Sequence, residues 1–349
     1  MLDGGVWVGL DIGADSLSAC MTGSDGVAIA EEDMATNADV VASFIQSHAV
    51  GKSAVIGLEA GAYSISITRK LRAMGFPVHA FETRQASKFL TIRQNKTDTN
   101  DARGIAHIVQ FGRGVVSEVH VKSVECQLLR SKLVLRQKLL RQRLAGEAAI
   151  NSIFRLNGGK LKRAYSNASL RQNVVNEVAR IREAEGVDLA EDIFPAMEIC
   201  AAIRRHLEVT DRKLIKLAAK HSVCSRFLEI PGVGFVTALS VYSAIEDPSR
   251  FKRNEDVGPY FGLAPRVRQS GQMLQRLGVS KMGNSMTRRH LITAASILLR
   301  RVDEPCALRM WAKALADRSN CQRARTALAR KLAVVMISIW KSGESYRPK

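Results

Sequence analysis

The chain has 349 residues, 46% of them hydrophobic and 24% charged, which predicts two or three domains with a sizeable core and excludes a fibrous or wholly disordered protein. Its formal net charge of +19 is unevenly spread: residues 1–117 carry 10 Lys and Arg against 12 Asp and Glu, whereas residues 118–349 carry 42 against 21. A basic body behind a slightly acidic first third predicts a polyanionic partner, since each phosphate neutralised releases counterions.

The elements begin with three β-rich runs, VWVGLDI over 6–12, SLSACMTG over 16–23 and GVAIAEEDM over 26–34. Gly13 and Ser24-Asp25-Gly26 separate them so closely that an antiparallel meander is expected. A helix over 39–48, a strand over 53–59, a helix over 64–74, a strand over 77–81 and a helix over 98–111 follow. The order βββαβαβα predicts an α/β domain with a mixed sheet. From about residue 118 the pattern turns helical. The run over 126–156 has leucines three or four apart with basic residues between them and no proline, which predicts a long amphipathic helix, a coiled-coil arm. Asn157-Gly158-Gly159 ends it, and a second such run over 196–221 is suited to pack antiparallel on the first. The stretch over 160–195 is polar and gives no clear period. The last third is expected to end in helices as far as about Trp340. Three domains are therefore expected, over 1–117, 118–225 and 226–349.

No run approaches the ~20 apolar residues of a membrane span, and the N-terminus lacks the basic and apolar regions of a secretory signal. No membrane partner is expected. Cys20, Cys126, Cys200, Cys224, Cys306 and Cys321 are scattered without a C-x-x-C pair, so reduced thiols in the cytoplasm are expected and a zinc site is not.

The carboxylates of the first third stand out. Asp11 lies inside the apolar run VGLDIG and Glu59 ends AVIGLE, places where an unpaired carboxylate costs several kcal/mol. Asp98 and Asp101 are three apart at a helix start and share one face. Each alone reads as a cap or a strand-end charge, Asp98 most of all because Thr97-Asp98 suits an N-cap. Asp15 is a rival that fits a turn better. Four acids on a first strand, a later strand and a helix start can converge at one sheet edge. Two Mg²⁺ ions held there would activate a nucleophile and stabilise the leaving oxygen of a phosphodiester.

In the basic part, IPGVGFVTA over 230–238 has the form of a helix-hairpin-helix turn. Gly232 and Gly234 permit close backbone approach, and the following amides can hold a phosphate. A purely structural link between two helices has the same composition. Arg226, Arg250, Lys252 and Arg253 lie near it in sequence. Downstream, FGLAPRVRQSGQMLQRLGVSKMGN places Ser270 among Arg266, Arg268, Arg276 and Lys281, with Arg288 and Arg289 just beyond. A serine can attack a phosphodiester whose charge is neutralised. Read alone, Ser270-Gly271 fits a turn better than a nucleophile.

Taken together, GLDIGADSLSA, GLEAGAYS and KTDTNDARGIA resemble the three motifs of the RuvC-like DEDD domain of the bridge-RNA-guided insertion-sequence transposases of bacteria. GLAPRVRQSGQ followed by RLGVSKMGNSMTRRHL resembles the second half of the same enzymes. The resemblance implies an RNase H-like fold over about 1–115 and a mostly helical transposase domain at the other end. It implies that Asp11, Glu59, Asp98 and Asp101 are the metal-binding DEDD residues and that Ser270 is the nucleophile, forming a serine–phosphate bond to DNA. Where the family has a Ser-Ser-Gly-Gly-like stretch, this chain has Gln269 before Ser270 and Gln272 after Gly271, which leaves Ser280 and Ser285 as rivals. Donor and target DNA, an element-encoded guide RNA, and a homodimer pairing into a tetramer are the implied partners in a bacterial, nucleoid-associated protein. Leucines between Leu128 and Leu144 offer a stripe for such pairing. Two other readings compete: a junction endonuclease that uses water, and a non-catalytic nucleic-acid scaffold. DIGADS also resembles a phosphate loop of actin-like ATPases, but no second such loop is found.

Overall fold

A computed structural model describes residues 5–91, 97–270, 273–301 and 306–347, without the side chains of residues 267–270, 273, 274 and 276. The chain divides into two compact units, Met1–Ser123 and Val124–Lys349.

The first unit is built on a five-stranded sheet of β1 (Val6–Ile12), β2 (Ser16–Thr22), β3 (Ala28–Ala35), β4 (Ala54–Glu59) and β5 (Val78–Phe81), in the order β3-β2-β1-β4-β5. The first three strands form the expected antiparallel meander, and β4 and β5 join parallel to β1. Side chains alternate along a strand, so β1 sends Val6, Val8 and Leu10 to one face and Trp7, Gly9 and Asp11 to the other. The first face packs with α1 (Ala38–His48) and α2 (Ser64–Ala73) through Val41, Phe44, Ile67 and Leu71. Each such fully buried side chain contributes about 1.5–3 kcal/mol. The second face carries α3 (Thr83–Leu90) and α4 (Asp98–Phe111). The mixed sheet covered by helices is consistent with an RNase H-like fold. α3 is a polar helix with only Ala86 buried and is not among the elements expected from the sequence.

The second unit is mostly helical. α5 (Val124–Leu156) and α7 (Ala190–Lys220) pack antiparallel within the one chain, the arrangement that competes with pairing of the arm between protomers. Leu129 and Leu133 cluster with Leu214 and Ala218, while Ile150 and Phe154 cluster with Ile193 and Met197. Arg136 pairs with Asp211 at 2.5 Å and Arg204 with Glu147 at 2.8 Å along the seam. The stripe from Leu128 to Leu144 is thereby divided: Leu129 and Leu133 are buried, and Leu128, Leu135 and Leu144 remain exposed. The stretch without clear period contains α6 (Asn167–Glu185), which Ser166 and Ser169 open as a capping box and Gly186 closes in the left-handed conformation.

The rest of the unit comprises α8 (Ser222–Leu228), α9 (Phe235–Ile245), α10 (Val257–Tyr260), α11 (Ser285–Arg301), α12 (Ala307–Arg318) and α13 (Cys321–Ser342). They share a core that includes Phe227, Leu239, Phe261, Leu291, Leu298, Leu328 and Met336. β6 (Pro265–Ser270) and β7 (Met273–Val279) form an antiparallel hairpin where the sequence pattern suggests no strand. The boundary expected near residue 225 lies inside this unit, in α8.

Candidate nuclease edge and basic surface

Two glycines decide where the acids of the first unit stand. Gly9 of β1 and Gly57 of β4 are opposite each other in the parallel register. A Cβ on Gly9 would lie 2.0 Å from the Ala102 carbonyl oxygen, and one on Gly57 would lie 1.9 Å from Val109 Cγ2. Only glycine admits α4 this close to the sheet. Asp11 and Glu59 lie two residues farther along their strands and so belong to the same α4 face. They are next in register after Leu10 and Leu58, on strands about 4.8 Å apart.

α4 runs antiparallel to β1. His107 contacts the Gly26 carbonyl at 3.0 Å and Gln110 donates to the carbonyls of Gly23 and Ser24, whereas Ala102 lies over Gly9. Asp98 is therefore about 6 Å beyond Ala102 along the helix, and Asp11 is about 6–7 Å beyond Gly9 along the strand. All four acids fall at the edge formed by the C-terminal ends of β1 and β4. Thr97 is the N-cap of α4 and accepts from the Asn100 amide at 3.2 Å, leaving Asp98 and Asp101 in the first turn, where the helix dipole favours negative charge. Asp98 is exposed; Asp11, Glu59 and Asp101 are half-buried. Asp15 lies exposed in the turn between β1 and β2.

The sheet register adds residues that the sequence analysis missed. Asp11 pairs with Ser18 and Ser18 with Asp33, and the Ser18 hydroxyl donates to the Asp33 carboxylate. One row back, Arg103 of α4 clamps Glu31 of β3 with bonds of 2.8 and 2.7 Å. Burial, reinforced by Glu31, pushes the neighbouring Cys20 thiol up to about 12. No local pattern marks Ser18 or Asp33; only the strand pairing brings them into the Asp11 row.

Carboxylate oxygens are hard donors suited to Mg²⁺, so the donor chemistry of this edge fits a divalent ion. Among the described residues, no three His, Cys, Asp or Glu side chains are gathered as a metal-binding group. The four acids share an edge but do not form a closed coordination sphere.

In the second unit, the Ile230–Gly234 turn links α8 to α9. Gly232 has φ +83°, and a Cβ there would lie 2.7 Å from the Ala294 carbonyl, so a side chain is excluded on both counts. Gly234 is the exposed N-cap of α9, which receives no side-chain cap. The Arg136 guanidinium lies 5.7 Å from the centre of the Phe235 ring in the first turn of α9.

Lys252, Arg253, Arg266, Lys281 and Arg289 are exposed, with Arg253 paired to Asp256 at 3.1 Å. Arg288 is engaged inward, donating to the carbonyls of Phe261 at 3.0 Å and Met282 at 3.4 Å. Arg226 donates to the Gly343 carbonyl at 2.5 Å, and Arg250 stacks on Phe251 and Tyr260. Ser270 is the last residue of β6; its side chain and those of Arg268 and Arg276 lie outside the described residues, as does Gly271. Ser280 donates its amide to Ala264, and Ser285 opens α11.

A mixed sheet with acids at the C-terminal edge of adjacent parallel strands, in a chain with a basic helical unit, is consistent with an RNase H-like fold. Comparison with known proteins makes this specific. A DEDD transposase profile matches residues 8–156, and the profile of the IS116/IS110/IS902 transposase family matches residues 224–312. The chain is 31% identical over 284 residues to the transposase for insertion sequence element IS1111A of Coxiella burnetii, covering 80% of this chain and 75% of that one. It is 27% identical to the putative transposase y4pF/y4sB of Sinorhizobium fredii, covering 84% and 74%. It is 25% identical to a probable family 20 transposase of Pseudomonas aeruginosa, covering 84% and 86%.

The chain belongs to the IS110 family of insertion-sequence transposases, enzymes that cleave and join DNA. The DEDD domain implies use of a divalent metal. No helix among the described residues is long and apolar enough to cross a membrane.

Proposed function

We propose that the chain is an RNA-guided DNA recombinase that cuts and rejoins strands through a serine–phosphate intermediate. The shared edge of Asp11, Glu59, Asp98 and Asp101, made possible by the glycines under α4, supports the metal-dependent cutting step, and the serine and the guide RNA rest on family membership. These four residues would hold Mg²⁺, two ions per site, which when bound would polarise the scissile phosphate and stabilise developing charge. Ser270 Oγ forms a bond to phosphorus as the P–O3′ bond breaks, its proton passing to a base and the leaving oxygen taking one up. The freed 3′-hydroxyl later attacks the serine ester of another strand, restoring the phosphodiester and the serine. Because the ester conserves one phosphodiester bond, the exchange needs no ATP.

Gly232, Gly234, Lys252, Arg253, Arg266, Arg268, Arg276, Lys281, Arg288 and Arg289 are assigned to nucleic-acid contact, with Arg288 acting mainly by fixing the loop that precedes α11. Donor DNA, target DNA and a guide RNA encoded by the element are the partners. The exposed Leu128, Leu135 and Leu144 of α5 support pairing with a second protomer, and a tetramer would bring two DNA segments together.

The test incubates full-length protein with Mg²⁺, labelled element-end DNA and candidate element RNA, then separates products under denaturing conditions. The wild type is expected to give an RNA-dependent protein–DNA adduct. Ser270→Ala abolishes the adduct, and Asp11→Asn lowers cleavage at least about 100-fold while the fold persists, because metal-borne charge stabilisation is worth several kcal/mol. Cleavage without any adduct would instead support a water-using, RuvC-like junction endonuclease, and RNA-independent reaction would remove the guide.

A further inference from the structure

We propose that a cavity between α11, α12 and α13 binds backbone phosphates of a nucleic acid. The inference rests on the transposase reading and adds to it a site outside both the acidic edge and the basic residues assigned above.

The cavity measures about 540 Å³ and is lined by Arg300 of α11, Lys313 and Asp317 of α12, and Cys321 and Arg325 of α13. Three cations therefore face one carboxylate. Among the described residues none of the three cations forms an ion pair, and Arg325 Nε is buried with no hydrogen-bond acceptor. A buried N–H without an acceptor is costly to desolvate, and like charges around one concavity repel. An anionic oxygen entering the cavity would offset the repulsion among these cations.

Phosphate is the anion that suits this set. A guanidinium offers parallel donors that match two phosphate oxygens, and a nearby ammonium adds a point charge. Asp317 offsets only one of the three charges and would repel a carboxylate ligand as it does any anion, so the net attraction favours a polyanion over a single weak acid. A nucleic-acid strand also meets the exposed basic surface of the same unit, and both DNA and RNA supply the chemistry.

Cys321 provides the readout, because it lines the cavity and is exposed while the other five cysteines are buried. The experiment measures the rate of Cys321 alkylation by N-ethylmaleimide in full-length protein at constant ionic strength. The probes are an element-end DNA duplex, an RNA oligonucleotide, inorganic phosphate and polyglutamate, with DNA and RNA binding followed in parallel by mobility shift. At a nucleic-acid concentration about ten times Kd, alkylation is expected to slow about tenfold, by DNA, by RNA or by both, which identifies the source. Arg300→Gln, Lys313→Gln and Arg325→Gln, each verified as folded by circular dichroism, should remove most of the protection while leaving a mobility shift.

Binding without protection of Cys321, or protection that survives all three substitutions, overturns the proposal and leaves the transposase reading standing. Protection by polyglutamate alone overturns it in favour of an acidic protein partner. Absence of any nucleic-acid binding overturns both readings.

Discussion

His290 of α11 carries a buried Nδ1 with no hydrogen-bond partner, and its surroundings decide its charge. Burial first, then the neighbouring Arg136 and Arg289, push its pKa down from 6.5 to about 4. At neutral pH the folded protein thus holds a neutral imidazole in a cationic neighbourhood. As pH falls below about 6.5 the unfolded chain takes up the proton before the folded one does. The stability present above that pH is therefore lost on the way down through about 4, roughly 2 kcal/mol of it by pH 5. Urea unfolding at pH 7.5 and pH 5 should show this loss in the wild type and a smaller one in His290→Gln. Equal losses in the two proteins would contradict the assignment. Arg288 stands one position from Arg289 in α11 but faces a different environment. Composition groups it with the exposed Arg289, but its donation to Phe261 and Met282 gives it a structural task that only the folded loop reveals.

At the scale of elements, the docking of α4 on β1 and β4 makes the acidic edge. Gly9→Ala would place a methyl 2.0 Å from the Ala102 carbonyl, a contact with backbone that no rotamer change relieves. It should cost at least about 1–3 kcal/mol and move Asp98 and Asp101 away from Asp11, lowering cleavage as well. A urea midpoint and cleavage rate equal to wild type would refute the close-packing account.

The start of α4 was legible in the sequence because a capping threonine, two first-turn acids and an apolar period coincide there. Asp11 and Glu59 were legible because they interrupt or end apolar runs. The Ser18–Asp33 link was not, since it exists only through the pairing of β1, β2 and β3. α6 escaped notice because most of its surface is polar, although Leu170, Val174, Val178 and Ile181 do mark one buried stripe at helical spacing. The β6–β7 hairpin escaped because its arginines, glutamines and glycines dilute the alternation that marks a half-buried strand.

For the molecule as a whole, the charge division is the feature that composition carries most directly into function. An acidic edge in a unit of net negative charge repels phosphates unless cations intervene, whereas the unit from Val124 onward attracts them. The exposed leucines of α5 add the proposal that protomers assemble. If carboxylates and serine act across protomers, mixing Glu59→Gln protein with Ser270→Ala protein should restore part of the activity that each lacks alone. Mixtures that stay inactive would mean that each chain is self-sufficient.

Mapping the covalent bond to DNA shows directly whether one serine carries it. Reaction of wild-type protein with element-end DNA, nuclease trimming of the bound strand and peptide mass spectrometry would locate the nucleotide-bearing residue. A phosphodiester on Ser270 is expected. A nucleotide on Ser280, on Ser285 or on no residue at all, in a reaction that still cleaves the DNA, would contradict it.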